Sequence, residues 1–380
     1  MDFNLSQEQQ MLLDSIEKFV AKDYDFETRR QLANSALGFG LANWEKFAEL
    51  GWLSLPFDER HGGFGGSTID VMILAEAFGK ALVTEPFVPT VVLGGRLIEL
   101  LGNSPQQSDL LPQLIAGKLQ LALAYSEAAA GSNPASVTTQ AVRNGDEYIL
   151  DGEKLMVLNG HAADYLLVTA RSSGGKRDFR GIEIFAVDAR SEGVTRRTYP
   201  TVDGLRAADI RFDEVRVPAG QRLGDPDENL GTLERVIDEA IIAFGAEAVG
   251  VMEVLYKTTV EYAKNREQFG SPLGKFQALQ HRMVDMFMAH EQSKSLLYMA
   301  ALRSQEGGNV AKRAASALKV QISKAGRLIG QEAIQLHGGM GMTEELNVGY
   351  YFKRLAAIDS LFGSRDYHLE RYAGLDPNES

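Results

Sequence analysis

Two glycine-containing stretches in the last third of the sequence combine residue types that could bind a phosphate group. In NREQFGSPLGKFQALQ (265–280), Arg266 offers a planar guanidinium that matches phosphate oxygens. In QLHGGMGMTEE (335–345), three glycines interrupt a helical pattern, and backbone N–H groups at such a break can face an anion. Each stretch alone also fits a plainer structure, a helix–helix turn with a solvated arginine or a glycine helix cap.

A third stretch, AYSEAAAGSNPAS (124–136), stands where helical periodicity gives way to strand-like alternation. Its small residues allow a ligand close to the backbone, and its hydroxyls can form hydrogen bonds with that ligand. A simple polar loop is the alternative interpretation. The fourth stretch is LFGSRD (361–366), where a helix is predicted to break at Gly363. Phe362 precedes that glycine, and its ring cannot accept a proton.

These stretches need helices and strands to position them. Apolar residues recur at helical spacing over residues 1–120, with Ser6 as a predicted N-cap, and again over residues 229–380. Between them, residues 121–228 alternate apolar and polar positions in short runs, which predicts an antiparallel sheet or small barrel. The sequence therefore predicts a multi-domain α+β fold with an N-terminal all-α domain, a middle β domain and a C-terminal four-helix bundle domain.

The composition excludes several classes of protein and site. There are 51 Asp and Glu residues against 39 Lys and Arg residues, and the net charge of -12 disfavours nucleic acid as the main partner. With no cysteine, disulfides, thiolate metal sites and cysteine nucleophiles are excluded, and the 6 histidines lack metal-binding spacing. No segment approaches the roughly 20 apolar residues of a membrane span. The N-terminus lacks a signal-peptide pattern, so the expected location is the cytoplasm.

Taken together and in this order, the four stretches resemble the acyl-CoA dehydrogenase family of flavoproteins over essentially the whole chain. The segments REQFG…PL…FQ and QLHGGMG carry the most specific part of the resemblance. It implies an enzyme that binds FAD, forms a tetramer of two dimers and oxidises an acyl-CoA to the trans-2-enoyl-CoA. In such enzymes a glutamate takes the α-proton, the β-hydrogen leaves as hydride to the flavin, and an electron-transfer flavoprotein collects the electrons.

The resemblance also implies which residues contact FAD. In the family, one set of residues binds the adenosine and pyrophosphate end of a neighbouring chain's flavin, and we call this set the neighbour's grip. All of its positions are retained here: Arg266, Phe269, Gln277, Gln335, Gly338 and Gly339. The positions around the chain's own flavin ring are Tyr125, Ser126, Gly131, Ser132, Met156, Leu158, Gly363 and Ser364. Of these, Ser126 replaces a threonine, Met156 a tryptophan, and Leu158 a threonine that hydrogen-bonds the flavin. Asp238 matches a family residue on the CoA side.

The base positions depart from the family pattern. Phe362 occupies the position of the catalytic glutamate, and the alternative position on the first bundle helix holds Ala240, followed by Ile241. Glu239 and Glu247 are the remaining candidate bases. A one-residue step turns a helical side chain by about 100 degrees, so Glu239 cannot simply replace position 240. Glu247 has the alternative interpretation of a paired carboxylate buried in the bundle or one at its surface.

Groups that serve a neighbour's flavin are thus retained, while groups that serve this chain's own flavin and substrate are altered. That pattern is typical of the non-catalytic chain of a heteromeric acyl-CoA dehydrogenase, and the sequence is similar to small subunits of pimeloyl-CoA dehydrogenases. We therefore expect a sister chain that supplies the glutamate. Two alternatives stay open: a self-sufficient homo-oligomer with a relocated base, and a redox-inactive binding protein of the same fold. The acyl group is left open among fatty, dicarboxylic and steroid side-chain groups, and Phe362 could fill core space or line a pocket.

Overall fold

The computed structural model describes residues 5–128 and 130–376, which form two compact units. The helical unit comprises residues 5–31, 68–83 and 241–376. The sheet unit comprises the described residues of 32–67 and 84–240. The three domains predicted from the sequence, with boundaries near residues 120 and 228, remain a prediction.

Eleven α-helices occur in the described part of the chain. In chain order they are α1 (Gln7–Asp23), α2 (Phe26–Asn34), α3 (Leu41–Glu49), α4 (Thr68–Ala81), α5 (Arg96–Leu101), α6 (Ser104–Ile115), α7 (Asn229–Asn265), α8 (Gln277–Arg303), α9 (Gly308–His337), α10 (Val348–Ser360) and α11 (Arg365–Gly374). The predicted N-cap is confirmed, because the Ser6 hydroxyl accepts the Gln9 N–H at 3.1 Å and the Gln9 side chain accepts the Ser6 N–H. The long helices α7, α8 and α9 and the shorter α10 lie where periodicity predicted the bundle.

The strands form one large sheet and one small hairpin. They are β1 (Leu121–Ala124), β2 (Gln140–Asn144), β3 (Glu147–Leu158), β4 (Tyr165–Arg171), β5 (Ile182–Asp188), β6 (Val194–Pro200), β7 (Arg206–Pro218), β8 (Arg222–Leu223), β9 (Glu267–Gln268) and β10 (Ser271–Pro272). The large sheet runs in the order β6-β7-β3-β2-β4-β5-β8, with β1 also paired to β4. The hairpin β9–β10 stands alone between α7 and α8.

The large sheet is mixed, although the alternation predicted an antiparallel one. β1 pairs with β4 in parallel, and β2 meets β4 through a parallel bridge, while the other pairings are antiparallel. One face of the sheet carries a core of apolar side chains, including Leu166, Phe185, Ile210 and Phe212. The predicted order of helices, then sheet, then helices is confirmed.

In the helical unit, α4 and α7 cross with their backbones in contact. A Cβ added to Gly79 would lie 2.0 Å from the carbonyl oxygen of Glu247, and one added to Gly250 would lie 2.0 Å from that of Glu76. No larger residue fits at either position without moving a helix. This crossing fixes the part of α7 that carries the candidate base Glu247.

In the sheet unit, a π-helix (Val88–Gly95) replaces the ordinary helix predicted for TVVLGGRLIELLG. Its two glycines are closely packed: a Cβ at Gly94 would lie 2.5 Å from Leu121, and one at Gly95 would lie 2.4 Å from the Phe57 ring. The π-helix therefore packs directly on β1 at the entry to the loop 125–138.

Candidate active site

The hairpin β9–β10 presents the predicted phosphate-binding arginine at the surface. Arg266 is exposed at the end of α7, and its carbonyl oxygen accepts the Leu273 N–H at 2.8 Å, which closes the hairpin. Phe269 at the hairpin tip is 91% exposed and has a φ of +54°, a left-handed conformation that is uncommon for a bulky residue. Its ring lies 6.3 Å from that of Phe276, the residue before Gln277. The hairpin thus holds Arg266, Phe269 and Gln277 in one exposed segment.

The end of α9 lies beside that segment. The Tyr262 ring on α7 stacks against the His337 ring with centroids 4.3 Å apart, and its hydroxyl donates to the His337 carbonyl oxygen at 3.4 Å. Gln335 is exposed, and a Cβ added to Gly338 or Gly339 would meet nothing within 4 Å. The structure therefore brings the six residues of the predicted neighbour's grip to one end of the helical unit.

This end of the helical unit fits a pyrophosphate. An exposed guanidinium, an exposed amide side chain and open glycine backbone are the groups that such an anion needs. Gly338 has a φ of +60°, so glycine is favoured there by conformation, but Gly339 has no steric requirement for glycine among the described residues. The backbone at Gly339 is therefore open to close approach by an outside group.

In the sheet unit, a buried ion pair anchors the loop that follows β1. Lys154 is fully buried on β3, and its ammonium donates to the Glu127 carboxylate at 2.6 Å and to the Thr169 hydroxyl at 2.9 Å. Glu127 also accepts the N–H groups of Thr138 at 2.7 Å and Thr139 at 3.0 Å. These hydrogen bonds hold Glu127, which follows Ser126, against Thr138 and Thr139.

Burial and the ion pair shift both pKa values of that pair. Burial opposes ionisation of the Glu127 carboxyl, but the Lys154 ammonium and the hydrogen bonds from Thr138 and Thr139 lower its pKa to about 2. Burial lowers the pKa of Lys154 to about 8, while Glu127 acts in the opposite direction. Tyr125 and Ser126 are half-buried next to this pair, and the Ser126 carbonyl oxygen accepts the Leu155 N–H at 2.9 Å. Gly131 is exposed with a φ of +58°.

Met156 lies on a bulge of β3 that Asp209 holds from β7. The register between the two strands shifts between Lys154 and Val157, and Met156 has a φ of +53°. Its N–H donates to Asp209 at 3.0 Å, and the Tyr199 hydroxyl donates to the same carboxylate at 2.8 Å. The bulge bends the strand at Met156, and the Met156 side chain is 38% exposed.

The pKa values of two groups at this bulge are shifted. Burial raises the pKa of Asp209, but hydrogen bonds from Arg197 and Met156 outweigh it, so the net shift is downward. Burial and the hydrogen bond to Asp209 raise the pKa of Tyr199 to about 12. Leu158 is half-buried two residues further along, and its aliphatic side chain has no hydrogen-bonding group for a flavin.

The stretch 361–366 carries Phe362 in a strained conformation. Phe362 has a φ of +57°, and Gly363 has a φ of +114°. The Phe362 ring packs against that of Phe244 on α7, with centroids 5.8 Å apart, and its carbonyl oxygen accepts from His368 at 3.0 Å. Ser364 is the N-cap of α11 and accepts the Tyr367 N–H at 3.2 Å. The position predicted for the glutamate is therefore filled by an apolar ring.

Both candidate bases are engaged in ion pairs with arginines. Glu247 is buried and bidentate with Arg354, at 2.5 and 2.8 Å. Glu239 accepts from Arg96 at 3.1 Å and from Arg235 at 3.1 Å. The oxygens of both carboxylates are therefore already engaged in charge-assisted hydrogen bonds to arginine.

The remaining family positions on α7 are apolar or acidic. Ala240 and Ile241 are buried, at 0% and 3% exposure, so neither supplies a base or an arginine. Asp238, the predicted residue on the CoA side, is 6% exposed.

Several groups that shape the site were missed in the sequence. Asp209, Tyr199 and the pair Glu127–Lys154 act through contacts between strands, and only strand register shows which residues face each other. A lysine inside the predicted strand of GDEYILDGEKLMVLNG was the one available signal, since a strand lysine that is buried needs a partner. Among the described residues, no group of three or more His, Asp and Glu could hold a metal ion. Over residues 5–128 and 130–376, no helix has both the length and the apolar character to cross a membrane.

Comparison with known proteins gives a consistent assignment. Residues 6–118, 122–215 and 232–374 match the families described as acyl-CoA dehydrogenase N-terminal, middle and C-terminal domains. A Bacillus subtilis protein described as probable acyl-CoA dehydrogenase YngJ is 32% identical over 354 residues, which are 92% of this chain and 92% of that protein.

Solved structures agree over nearly the full length. Butyryl-CoA dehydrogenase from Megasphaera elsdenii has a TM-score of 0.90 and 28% identity, covering 98% of this chain and 99% of that one. The ChsE4–ChsE5 complex from Mycobacterium tuberculosis has a TM-score of 0.88 and 26% identity, covering 98% of each chain.

Proposed function

The chain belongs to the acyl-CoA dehydrogenase family, and we propose that it serves the α,β-dehydrogenation of an acyl-CoA as the supporting subunit of a heteromeric enzyme. A sister chain would supply the catalytic glutamate, and this chain would complete the sister's FAD site. The acyl-CoA thioester and an electron-transfer flavoprotein are the further partners that membership of this oxidoreductase family suggests. When bound, FAD supplies the hydride acceptor for the β-hydrogen.

The observation that carries the proposal is Phe362. Removal of the weakly acidic α-proton of a thioester needs a carboxylate placed against it. Phe362 offers a ring packed on Phe244, and the second possible base position is the buried Ala240. The two candidate bases, Glu247 and Glu239, are each held in an ion pair with an arginine. These contacts support a chain that does not take the proton itself.

The grip at the end of the helical unit supports the other half of the proposal. Arg266, Gln335 and the open backbone at Gly339 are exposed, so they are available to a flavin held by another chain. A guanidinium matches two pyrophosphate oxygens in a fork geometry. A scaffold without a redox role has no need of an exposed arginine beside an open glycine turn.

The proposal is tested by the flavin-to-chain ratio of the purified protein, measured by visible absorbance. The chain is purified alone and again after co-expression with a catalytic acyl-CoA dehydrogenase encoded nearby. We expect no bound flavin alone and about one FAD per two chains in the complex, because only the sister's site is complete. A chain that alone holds a full complement of FAD and is bleached by an acyl-CoA would instead be a self-sufficient enzyme. A colourless co-purified complex would indicate a redox-inactive binding protein.

A further inference from the structure

The strained turn that carries Phe362 is held in place by one face of α9. Lys319 on α9 is 4% exposed, and its ammonium donates to the Ile358 carbonyl oxygen at 2.7 Å and to that of Asp359 at 3.0 Å. Both carbonyl groups belong to the last turn of α10, where the helix dipole has its negative end. The buried cation therefore binds the end of α10, directly before Phe362.

The position of Lys319 opposes its own charge. Burial lowers the pKa of Lys319 to about 8, while the charge of Asp359 acts in the opposite direction. The Asp359 carboxylate lies 3.2 Å from the Arg327 guanidinium, and Lys319 bonds the backbone of Asp359. A buried ammonium needs its hydrogen bonds, so it fixes the position of the carbonyl groups that accept them.

The same face of α9 also holds the other side of the turn. Ser316 lies three residues before Lys319, on the same side of the helix. Its hydroxyl donates to His368 Nδ1 at 3.2 Å, and His368 Nε2 donates to the Phe362 carbonyl oxygen at 3.0 Å. The backbone is thus fixed on both sides of Phe362, which accounts for a φ of +57° in a bulky residue.

This turn places the Phe362 ring on a defined face of α7. The ring lies against Phe244, which is 4% exposed, with centroids 5.8 Å apart. Phe244 is fixed in turn, since the Arg354 guanidinium lies 5.4 Å from the centre of its ring. Phe244 follows Ala240, the second predicted base position, by four residues, so the two share one face of α7. The two rings therefore lie along the face where an acyl group would have to meet a base.

We propose that Lys319 is a positioning residue that keeps the Phe362 ring closed over this chain's own acyl site. This proposal rests on the supporting role proposed above, because a chain that leaves the chemistry to a sister needs no acyl group of its own. Lys319 acts through the backbone at the end of α10. Releasing the turn or removing the ring should therefore give the chain a new affinity for an acyl group, which a mere loss of packing would not.

The test compares octanoyl-CoA with CoA as ligands of the full chain purified alone, by isothermal titration. In the wild type we expect the two dissociation constants to agree within about twofold, because the acyl group finds no apolar space to enter. Phe362→Ala and Lys319→Met should each bind octanoyl-CoA about tenfold more tightly than CoA, the effect of burying roughly two methylene groups. Lys319→Arg should restore the wild-type ratio, since a guanidinium can donate to both carbonyl oxygens.

The matched control is Lys324→Met, which removes the same charge from an exposed position on α9 and should leave the ratio within about twofold of the wild type. If Lys319→Met does not fold, Lys319→Gln keeps one donor for the same carbonyl groups and should give an intermediate ratio.

Two outcomes would overturn the closed acyl site: a wild-type chain that already prefers octanoyl-CoA tenfold, or a Phe362→Ala chain that gains no preference, including one that binds neither ligand. A gain in Phe362→Ala without a gain in the Lys319 variants would overturn the role of Lys319. Failure of the supporting role is distinguishable, because it appears in the flavin-to-chain ratio, whereas failure of this proposal appears in the binding ratio.

Discussion

At the scale of single residues, the environment of Glu247 decides what that carboxylate does. Its two oxygens are paired with Arg354, and the Arg354 guanidinium lies 5.4 Å from the centre of the Phe244 ring. Removing one partner of a buried ion pair leaves the other charge uncompensated, which costs about 3–5 kcal/mol. We expect Glu247→Gln to lower the free energy of unfolding by about 3–5 kcal/mol. Urea unfolding followed by circular dichroism measures this change.

The matched control is the half-exposed pair Arg282–Glu332, with a separation of 2.5 Å. Glu332→Gln should cost about 1 kcal/mol or less, because solvent screens an exposed pair. In the double variant Glu247→Leu/Arg354→Met most of the lost stability should return. A Glu247→Gln protein that keeps wild-type stability but loses turnover would instead identify Glu247 as the base.

The residues of the site were unequally predictable. Arg266, Gly338 and Phe362 could be placed from the sequence because each sits at a visible break in a helical pattern. Asp209 could not, since it acts on Met156 from a strand 53 residues away and through a bulge. Side chains that work across strands depend on register, and a single sequence carries no direct signal for it.

At the scale of elements, His368 ties α11 to α9 and to the turn that carries Phe362. Its Nε2 donates to the Phe362 carbonyl oxygen at 3.0 Å, and its Nδ1 accepts from the Ser316 hydroxyl at 3.2 Å. The pKa of His368 is lowered to about 4, chiefly by burial; Arg371 and Lys319 also lower it, while the hydrogen bond to the Phe362 carbonyl oxygen acts in the opposite direction. The neutral ring is therefore the form that the packed helices require.

This arrangement predicts an acid-sensitive contribution to stability. Because the folded-state pKa lies below the ordinary value of 6.5, the contribution is complete above pH 6.5 and is lost as the pH falls toward 4. The contribution of His368 to the free energy of unfolding is up to about 3 kcal/mol. We expect His368→Gln to flatten the dependence of the unfolding midpoint on pH in this window. The same substitution at the exposed His281 should leave the dependence as in the wild type; an equal change in both variants would contradict the assignment.

Hydrophobic periodicity predicted the helices correctly where they were long. Helices α7, α8 and α9 run for 37, 27 and 30 residues, so several turns repeat the same apolar face. Strand β1 lies at the start of the region predicted to be a sheet, but LALA is apolar and buried at all four positions, so it shows no alternation of its own. Strand β6 was hidden because VTRRTYP has no fully buried position and shows no alternation of apolar residues.

At the scale of the whole molecule, the two sets of predicted flavin positions differ from the family pattern to different extents. The set at the end of the helical unit keeps every residue of the neighbour's grip, from Arg266 to Gly339. The set on the sheet unit has Ser126, Met156 and Leu158 in place of the family's residues. If the chain supports only a sister's flavin, the two sets serve different flavins and can be separated by mutation.

The separating experiment compares Arg266→Ala with Met156→Ala in the complex co-purified with the sister chain. We expect Arg266→Ala to raise the dissociation constant of FAD about tenfold, because a charge-assisted contact to the pyrophosphate is lost. Lys275→Ala removes one exposed charge from the same segment and should leave the constant unchanged. Met156→Ala should also leave it unchanged, since this chain's own flavin-ring end is unused. Equal loss of flavin in Arg266→Ala and Met156→Ala would mean that one chain uses both sets, as a self-sufficient homo-oligomer does.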